Sequence, residues 1–352
     1  MNGKATLGFH PSYHAKNFGV DYGEKYHKDP IYRTEQGHKC ERALYERFGE
    51  YGMGDPAPKV KAISIGIQPL DFLNGALGGR MLYNPHESVW TPDKPLEHIE
   101  TMEDLEKMPD IDWDNNPVYL DDWRQIDEMK ELYPDLPVTA IQGASSDGEA
   151  CSFVMHTPYT TAFRLLGDRI FELMLLEKDL ANGIFDYLMR QYLNLWENIR
   201  KRMNWPEEKQ HLHFGDCAAT MLSPDLYEKF CLPLYQKLME NYKTCTIHSC
   251  GASTHLLDLF TEVPNAKILQ LGKGTKLEGL RKKFPNANIS AYFASPDILH
   301  GTPQSIEKQL WEMAEELESD FQINGSSVDP ESPPENIKAY LDTAMKVNEE
   351  YK

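Results

Sequence analysis

The chain of 352 residues reads as an α/β protein, a (β/α)8 TIM-type barrel with an irregular N-terminal extension. Three observations predict this. Strand and helix patterns alternate along most of the chain, which builds successive right-handed βαβ units and a parallel sheet. About eight such units over this length suit a barrel better than a doubly wound sheet. No GxGxxG or GxxxxGK[ST] phosphate loop occurs, which lowers the dinucleotide-binding and P-loop alternatives.

Residues 1–60 are dense in aromatics and histidine, among them His10, Tyr13, His14, Phe18, Tyr22, Tyr26, His27 and Tyr32. Apolar periodicity is poor until a helix expected around Glu35–Phe48. The first thirty residues are read as an irregular arm: it covers a barrel mouth, reaches a second copy of the chain in a homodimer, or is solvated and only partly ordered. Asp55-Pro56-Ala57-Pro58 closes this section. The chain thus divides into 1–60, an arm and helix packed on the barrel, and 61–352, the barrel.

Val60–Ile67 alternates small residues with Ile63, Ile65 and Ile67 and predicts a strand. Asp71–Leu77 predicts a helix, broken by Gly78-Gly79, and Met81–Pro95 is extended and turn-rich. Thr101–Lys107 opens with a capping-box pattern, Thr101 with Asp104 three residues on. Asp110–Pro117 is an acidic loop, Leu120–Leu132 a helix and Leu136–Gln142 a strand. The small, polar Gly143–Cys151 stretch then reads as a loop at a strand's carboxyl end, where α/β proteins keep their chemistry.

Thr157-Pro158 starts a helix, and Asp179–Met203 is a long one with Ile184, Leu188, Tyr192 and Leu195 on its core stripe. The rhythm then becomes regular. Strands are expected at Gln210–Phe214, Cys245–Ile247, Ala266–Leu271, Asn288–Tyr292 and Phe321–Asn324. Helices are expected from Ser223 to about Tyr242 and at Ser253–Phe260, Lys276–Phe284, Thr302–Leu317 and Pro334–Glu350.

At 41% hydrophobic the chain can bury a large core. No stretch approaches the roughly 18 apolar residues of a membrane span, and the first residues lack the apolar segment of a secretory signal. A cytoplasmic location, with no membrane partner, is expected. The net charge of −19 argues against nucleic acid, whose phosphates need clustered Lys and Arg. Six cysteines are too sparse for a disulfide framework.

His248 and Cys250 carry the sharpest chemical signal. They stand two apart at the end of the Cys245–Ile247 strand, followed by the turn-forming Gly251. Side chains two apart on an extended segment point the same way. An imidazole and a thiol can therefore converge on one metal ion, and zinc takes both at about 2.0–2.3 Å. A buried cysteine beside a hydrogen-bonded histidine would look the same, so two ligands alone do not make a site.

Four stretches resemble the uroporphyrinogen decarboxylase superfamily, which includes the zinc methyltransferases of corrinoid-dependent methyl transfer. Thr157-Pro158-Tyr159-Thr160-Thr161-Ala162 is similar to the family's Gly-Pro-Phe-Thr helix start. Gly215-Asp216, Leu222-Ser223-Pro224 and Phe230-Cys231-Leu232-Pro233 resemble its GD, SP and F–P segment. His248-Ser249-Cys250-Gly251 looks like the methyltransferases' His-x-Cys-Gly. Gly325 through Pro333-Pro334-Glu335-Asn336 resembles the closing segment. The match covers about residues 130–350 well and the first 120 poorly.

The departures are informative. The Met-Arg-Gln-Ala-Gly-Arg stretch of uroporphyrinogen decarboxylase, whose arginines hold the porphyrinogen carboxylates, does not occur, nor does its C-terminal Asn-Leu-Gly-His-Gly. In the methyltransferases a cysteine in the closing segment completes the metal site; here that position is Ser326. Cys217, at the end of the preceding strand, is the expected replacement, with Asp216 and Glu149 as rivals. The resemblance then implies zinc on His248, Cys250 and Cys217, with His248 and Asp216 as catalytic residues. It implies a methyltransferase that passes a methyl group from a small methylated substrate, such as a methoxylated aromatic, to a corrinoid carried by a partner protein. His156, Tyr159 and Tyr292 are the expected substrate contacts, with Phe293 a further mouth aromatic; solvated loop carboxylates are expected at Asp329 and Glu331. The alternatives are a metal-free decarboxylase and a non-catalytic tetrapyrrole-binding barrel.

Overall fold

The computed structural model of the chain describes residues 4–65, 69–139 and 143–352. Its strands are β1 (Ala5–Phe9), β2 (Ile63–Ser64), β3 (Val138–Thr139), β4 (Ser145–Ser146), β5 (Cys151–His156), β6 (Lys209–Gly215), β7 (Thr244–Ser249), β8 (Ala266–Leu271), β9 (Asn288–Phe293) and β10 (Phe321–Val328). Eight form one sheet in the order β1-β10-β9-β8-β7-β6-β5-β4, and β2 pairs with β3 apart from it. The pairings from β5 round to β1 are parallel, and the β4–β5 hairpin is antiparallel. Among the described residues no ladder joins the two sheets. The chain is thus an α/β protein with a parallel-rich eight-stranded sheet, compatible with a TIM-type fold.

Alternation along each strand divides the sheet into two faces. In β5, Cys151, Phe153 and Met155 are buried, whereas Ser152, Val154 and His156 are half-buried. The buried face is covered by helices. The Lys178–Met203 helix buries Ile184, Leu188, Tyr192 and Leu195, the stripe expected from its periodicity, and its Trp196 stacks on Phe153 with ring centroids 5.0 Å apart. Each such aliphatic side chain contributes about 1.5–3 kcal/mol on burial. The other face, half-buried and polar, is the one that bears on function.

Several elements differ from the sequence-based expectation. Residues 4–30 are not irregular: β1 pairs with β10 in the main sheet, and helices run Pro11–Phe18 and Glu24–Lys28. A third helix spans Pro30–Phe48, with the Asp29 side chain accepting from the Tyr32 N–H at its start. Of the Val60–Ile67 and Leu136–Gln142 strands, only Ile63–Ser64 and Val138–Thr139 are strand among the described residues; positions 66–68 and 140–142 lie outside them. Gly143–Cys151 lies beyond β3 and the undescribed positions 140–142, and it is not an open loop. It forms the β4–β5 hairpin, tightened by Asp147 accepting from the Glu149 and Ala150 N–H groups at 2.9 and 2.8 Å.

The helix expected from Ser223 to about Tyr242 breaks into Pro224–Phe230 and Leu232–Met239. Pro233 has no N–H and crowds the preceding turn, which accounts for the break at Cys231. The Lys276–Phe284 helix shrinks to Leu280–Lys283, because Gly279 stands at φ 79°. Pro334–Glu350 is helical as expected, and Thr101 and Asp104 do form a capping box. Among the described residues, no helix is long and apolar enough to cross a membrane.

Candidate metal centre

The centre lies at the carboxyl ends of β6 and β7. These strands pair in parallel up to Gly215 opposite His248. The Asp216 N–H donates to the His248 carbonyl at 2.7 Å, extending the ladder by one step. The chain then turns into a short 3-10 segment beginning at Cys217. This extra rung holds Cys217 beside the end of β7. The ligand atoms of Cys217, His248 and Cys250 all lie within 4.8 Å of one another. Sulfurs on a tetrahedral zinc with bonds of 2.3 Å stand about 3.8 Å apart, so this donor set can close on such an ion with a small inward movement. Two sulfurs and one imidazole nitrogen are soft to borderline donors that suit zinc and leave a fourth position for a substrate.

Neighbouring groups prepare these ligands. Gln270 Oε1, on β8, lies 2.9 Å from His248 Nδ1. With that carbonyl oxygen as acceptor, Nδ1 carries the proton and Nε2 keeps its lone pair for a metal. The Tyr292 hydroxyl is 3.5 Å from the same Nδ1, and its ring meets the imidazole edge-on at 5.7 Å. The adjacent Cys217 thiol and the His248 ring hold Cys250 down to about 4, while Cys217 is pushed up by its proximity to Cys250 and by burial. Cys250, the exposed member of the pair, is the one these neighbours favour as the thiolate. Gly272 lets the end of β8 approach this loop: a Cβ there would stand 2.1 Å from the Cys250 carbonyl carbon and oxygen.

The other expected residues separate into two groups. His156 ends β5, and Gly215 lies between it and His248 in register on the three strands. A Cβ at Gly215 would come within 2.9 Å of the His156 ring, so glycine is needed for that ring to sit there. His156 Nδ1 is buried without a hydrogen-bond partner. Burial, with His248 adding to it, holds His156 down to about 4. Tyr292 and His156 are thus brought to the neighbourhood of the ligands.

Tyr159 and Phe293 are not. Tyr159 is packed edge-on against Phe171 and Phe185, and Phe293 against Tyr340. Both side chains face the helix layer. Asp216 is fully buried and turned from the ligands: its Oδ1 accepts from Thr157 Oγ1 at 2.7 Å and Thr160 Oγ1 at 3.4 Å. Burial pushes its carboxyl up to about 6 against these hydroxyls and those of Tyr235 and Tyr227. Asp216 thereby ties the Thr157–Thr160 helix start to the Cys217 turn. Glu149 sits in the β4–β5 turn at the amino end of β5, the opposite end of the sheet. Ser326 is on β10.

Two neighbours of the site were not anticipated from the sequence, His213 and Gln270. The His213 ring centroid is 5.7 Å from that of His248. Parity carries the signal for both, since His213 stands two before Gly215 and Gln270 two before Gly272 on strands that were foreseen.

The sequence matches the uroporphyrinogen decarboxylase (URO-D) family over residues 73–347. The chain belongs to the uroporphyrinogen decarboxylase family. The matched span holds both halves of the metal centre, Cys217 and the His248–Cys250 pair, together with Gln270 and Tyr292. No curated protein matches the chain in sequence. Among solved structures, the chain is similar to a methyltransferase from Methanosarcina mazei, with a TM-score of 0.58 over 98% of this chain and 94% of that one. At 17% identity this likeness speaks for a shared fold, and the function has to be argued from the site.

Proposed function

We propose that this member of the uroporphyrinogen decarboxylase family is a zinc-dependent methyltransferase. It takes a methyl group from a small methylated donor, a methoxylated aromatic or similar compound, and passes it to a corrinoid presented by a separate protein. The observation that carries the proposal is the convergence of Cys217, His248 and Cys250 within 4.8 Å at the carboxyl ends of adjacent strands. The likeness in fold to a methyltransferase supports it. On this reading the strands close into a (β/α)8 barrel whose mouth admits the corrinoid. The protein works in the cytoplasm, where thiols stay reduced.

Cys217, Cys250 and His248 Nε2 would hold the zinc. When bound, zinc supplies a Lewis acid that draws electron density from the donor heteroatom, so that the methyl group leaves more readily. The chain's own residues orient and shield. Gln270 fixes the His248 tautomer, Tyr292 flanks the imidazole, and His156 faces the substrate side. Asp216 acts as a positioning residue that holds Cys217 in place through the Thr157 and Thr160 hydroxyls and its N–H to His248.

The test is methyl transfer from candidate methyl ethers to a Co(I) corrinoid, followed by the corrinoid absorbance, in wild type and Cys250→Ser. The proposal expects metal and turnover to be lost together. Turnover retained in a metal-free Cys250→Ser protein would sink it and favour a metal-free decarboxylase.

A further inference from the structure

Cys250 is an exposed ligand on a turn, so the packing of its own side chain does little to aim it. Its direction is set by the peptide groups on either side. The segment that ends β8 and follows it holds both of them. On the upstream side the Gly272 N–H donates to the Ser249 carbonyl at 2.7 Å. On the downstream side the Gly251 carbonyl accepts from two hydroxyls, Ser253 Oγ at 3.1 Å and Thr275 Oγ1 at 3.3 Å. The Ser253 N–H in turn donates to Thr275 Oγ1 at 3.0 Å.

Counting protons closes this network. A hydroxyl has one proton to give. That of Ser253 goes to the Gly251 carbonyl, so in the 2.6 Å contact between Ser249 and Ser253 the Ser249 hydroxyl is the donor. That of Thr275 goes to the same carbonyl, while its oxygen accepts from the Ser253 N–H. All three residues are buried, Ser249 and Ser253 completely. Water is therefore poorly placed to replace a lost partner, and a buried group left unpaired is costly. Ser249 and Ser253 belong to the ligand turn itself, whereas Thr275 reaches it from 24 residues along the chain. Together with Gln270 at His248 Nδ1, residues 270–275 hold the ligand stretch at three successive points, His248, Ser249 and Gly251.

We propose that Thr275 is a positioning residue for the metal centre: its hydroxyl fixes the Gly251 peptide and, through it, the direction of the Cys250 sulfur. The inference rests on the metal-dependent reading above, since the aim of that sulfur matters only if it binds a metal. Thr275→Val keeps the shape of the side chain and removes the hydroxyl. It leaves the Ser253 N–H without its acceptor and the Gly251 carbonyl with one donor in place of two. The turn then keeps its local bonds and loses its side-chain tie to the segment after β8.

The experiment measures zinc affinity by competition with a chromophoric chelator, and the melting temperature of the metal-free protein, for wild type, Thr275→Val, Thr275→Ser and Thr254→Val. Thr254 is the control from the same turn: its hydroxyl donates to the Gly274 carbonyl and accepts from the Lys276 N–H, and it does not bond to Gly251. Thr275→Val should weaken zinc binding at least about tenfold, as loss of an outer contact does. Thr275→Ser, which restores the hydroxyl, should recover the wild-type affinity, and Thr254→Val should keep it. A Thr275→Val protein that melts lower but binds zinc as wild type does would show a purely structural hydroxyl and overturn the inference, leaving the metal centre standing. A loss that Thr275→Ser does not repair, or an equal loss in Thr254→Val, overturns it as well. Should Thr275→Val not fold, Ser253→Ala, which removes the other hydroxyl on the Gly251 carbonyl, is read in its place against the same outcomes. Wild-type protein that binds no zinc would overturn the metal centre and this inference with it.

Discussion

Gly272→Ala perturbs the metal centre through a residue that offers no ligand atom. Gly272 N–H donates to the Ser249 carbonyl at 2.7 Å, which brings the end of β8 against the Cys250 loop. The added Cβ would stand 2.1 Å from the Cys250 carbonyl carbon and oxygen and 2.5 Å from the Gly251 nitrogen. That is about 0.9 Å short of the 3.0 Å closest approach of real Cβ atoms, and backbone on both sides must give way. A metal site tolerates only about 0.2 Å in its bond lengths. Displacing the Cys250 peptide should therefore weaken zinc binding by at least about tenfold to a hundredfold, as loss of a supporting contact does. The overpacking should cost about 1–3 kcal/mol of stability. Zinc affinity is read by competition with a chromophoric chelator, and circular dichroism with thermal melting separates metal loss from unfolding. A folded Gly272→Ala protein with the zinc affinity of wild type would refute the idea that this backbone contact sets the position of Cys250.

Further outcomes follow from individual side chains. Gln270→Leu removes the acceptor at His248 Nδ1, frees the tautomer and should lower zinc affinity about 10–100-fold in the same competition assay, with little change in melting temperature. Asp122, on the Pro117–Leu132 helix, is buried with both oxygens unpartnered, and burial pushes its carboxyl up to about 8. A carboxyl raised in this way favours the folded state while protonated, so its contribution is lost as pH climbs from about 4 to about 8. Asp122→Asn should therefore gain a few kcal/mol at pH 8 in urea unfolding, and nothing near pH 4. The opposite sign holds for His14 and His27, which burial holds down to about 4. Stability from these two should be complete above about pH 6.5 and fall as pH drops towards 4, and His27→Gln should flatten that limb of the pH profile.

The parts of the fold legible in the sequence are those where one periodicity dominates. The Lys178–Met203 helix and the Pro334–Glu350 helix show a clear stripe, and β8 has the bounds that its alternation implies. β1 escaped notice because its five residues sit among aromatics and histidines whose packing role appears only once β10 lies beside it. β5 does alternate, with Cys151, Phe153 and Met155 on the buried side. The preceding glycine-rich stretch drew attention as a catalytic loop, although Asp147 and Gly148 there close a hairpin. At the site, His248 and Cys250 were readable from their spacing. Cys217 needed the likeness to a family that brings in a distant third ligand. Tyr159 shows the limit of such reading: an aromatic at a helix start can face the mouth or the helix layer, and only the positions of Phe171 and Phe185 decide it.

The most direct measurement is the metal content of protein purified without chelator, for wild type, Cys217→Ser and Cys250→Ser. The account predicts about one zinc per chain in wild type and loss of it in both variants, since removing either thiolate leaves only two of the ligands. Wild-type protein without metal, or zinc retained undiminished in Cys217→Ser, would contradict a centre built on Cys217, His248 and Cys250.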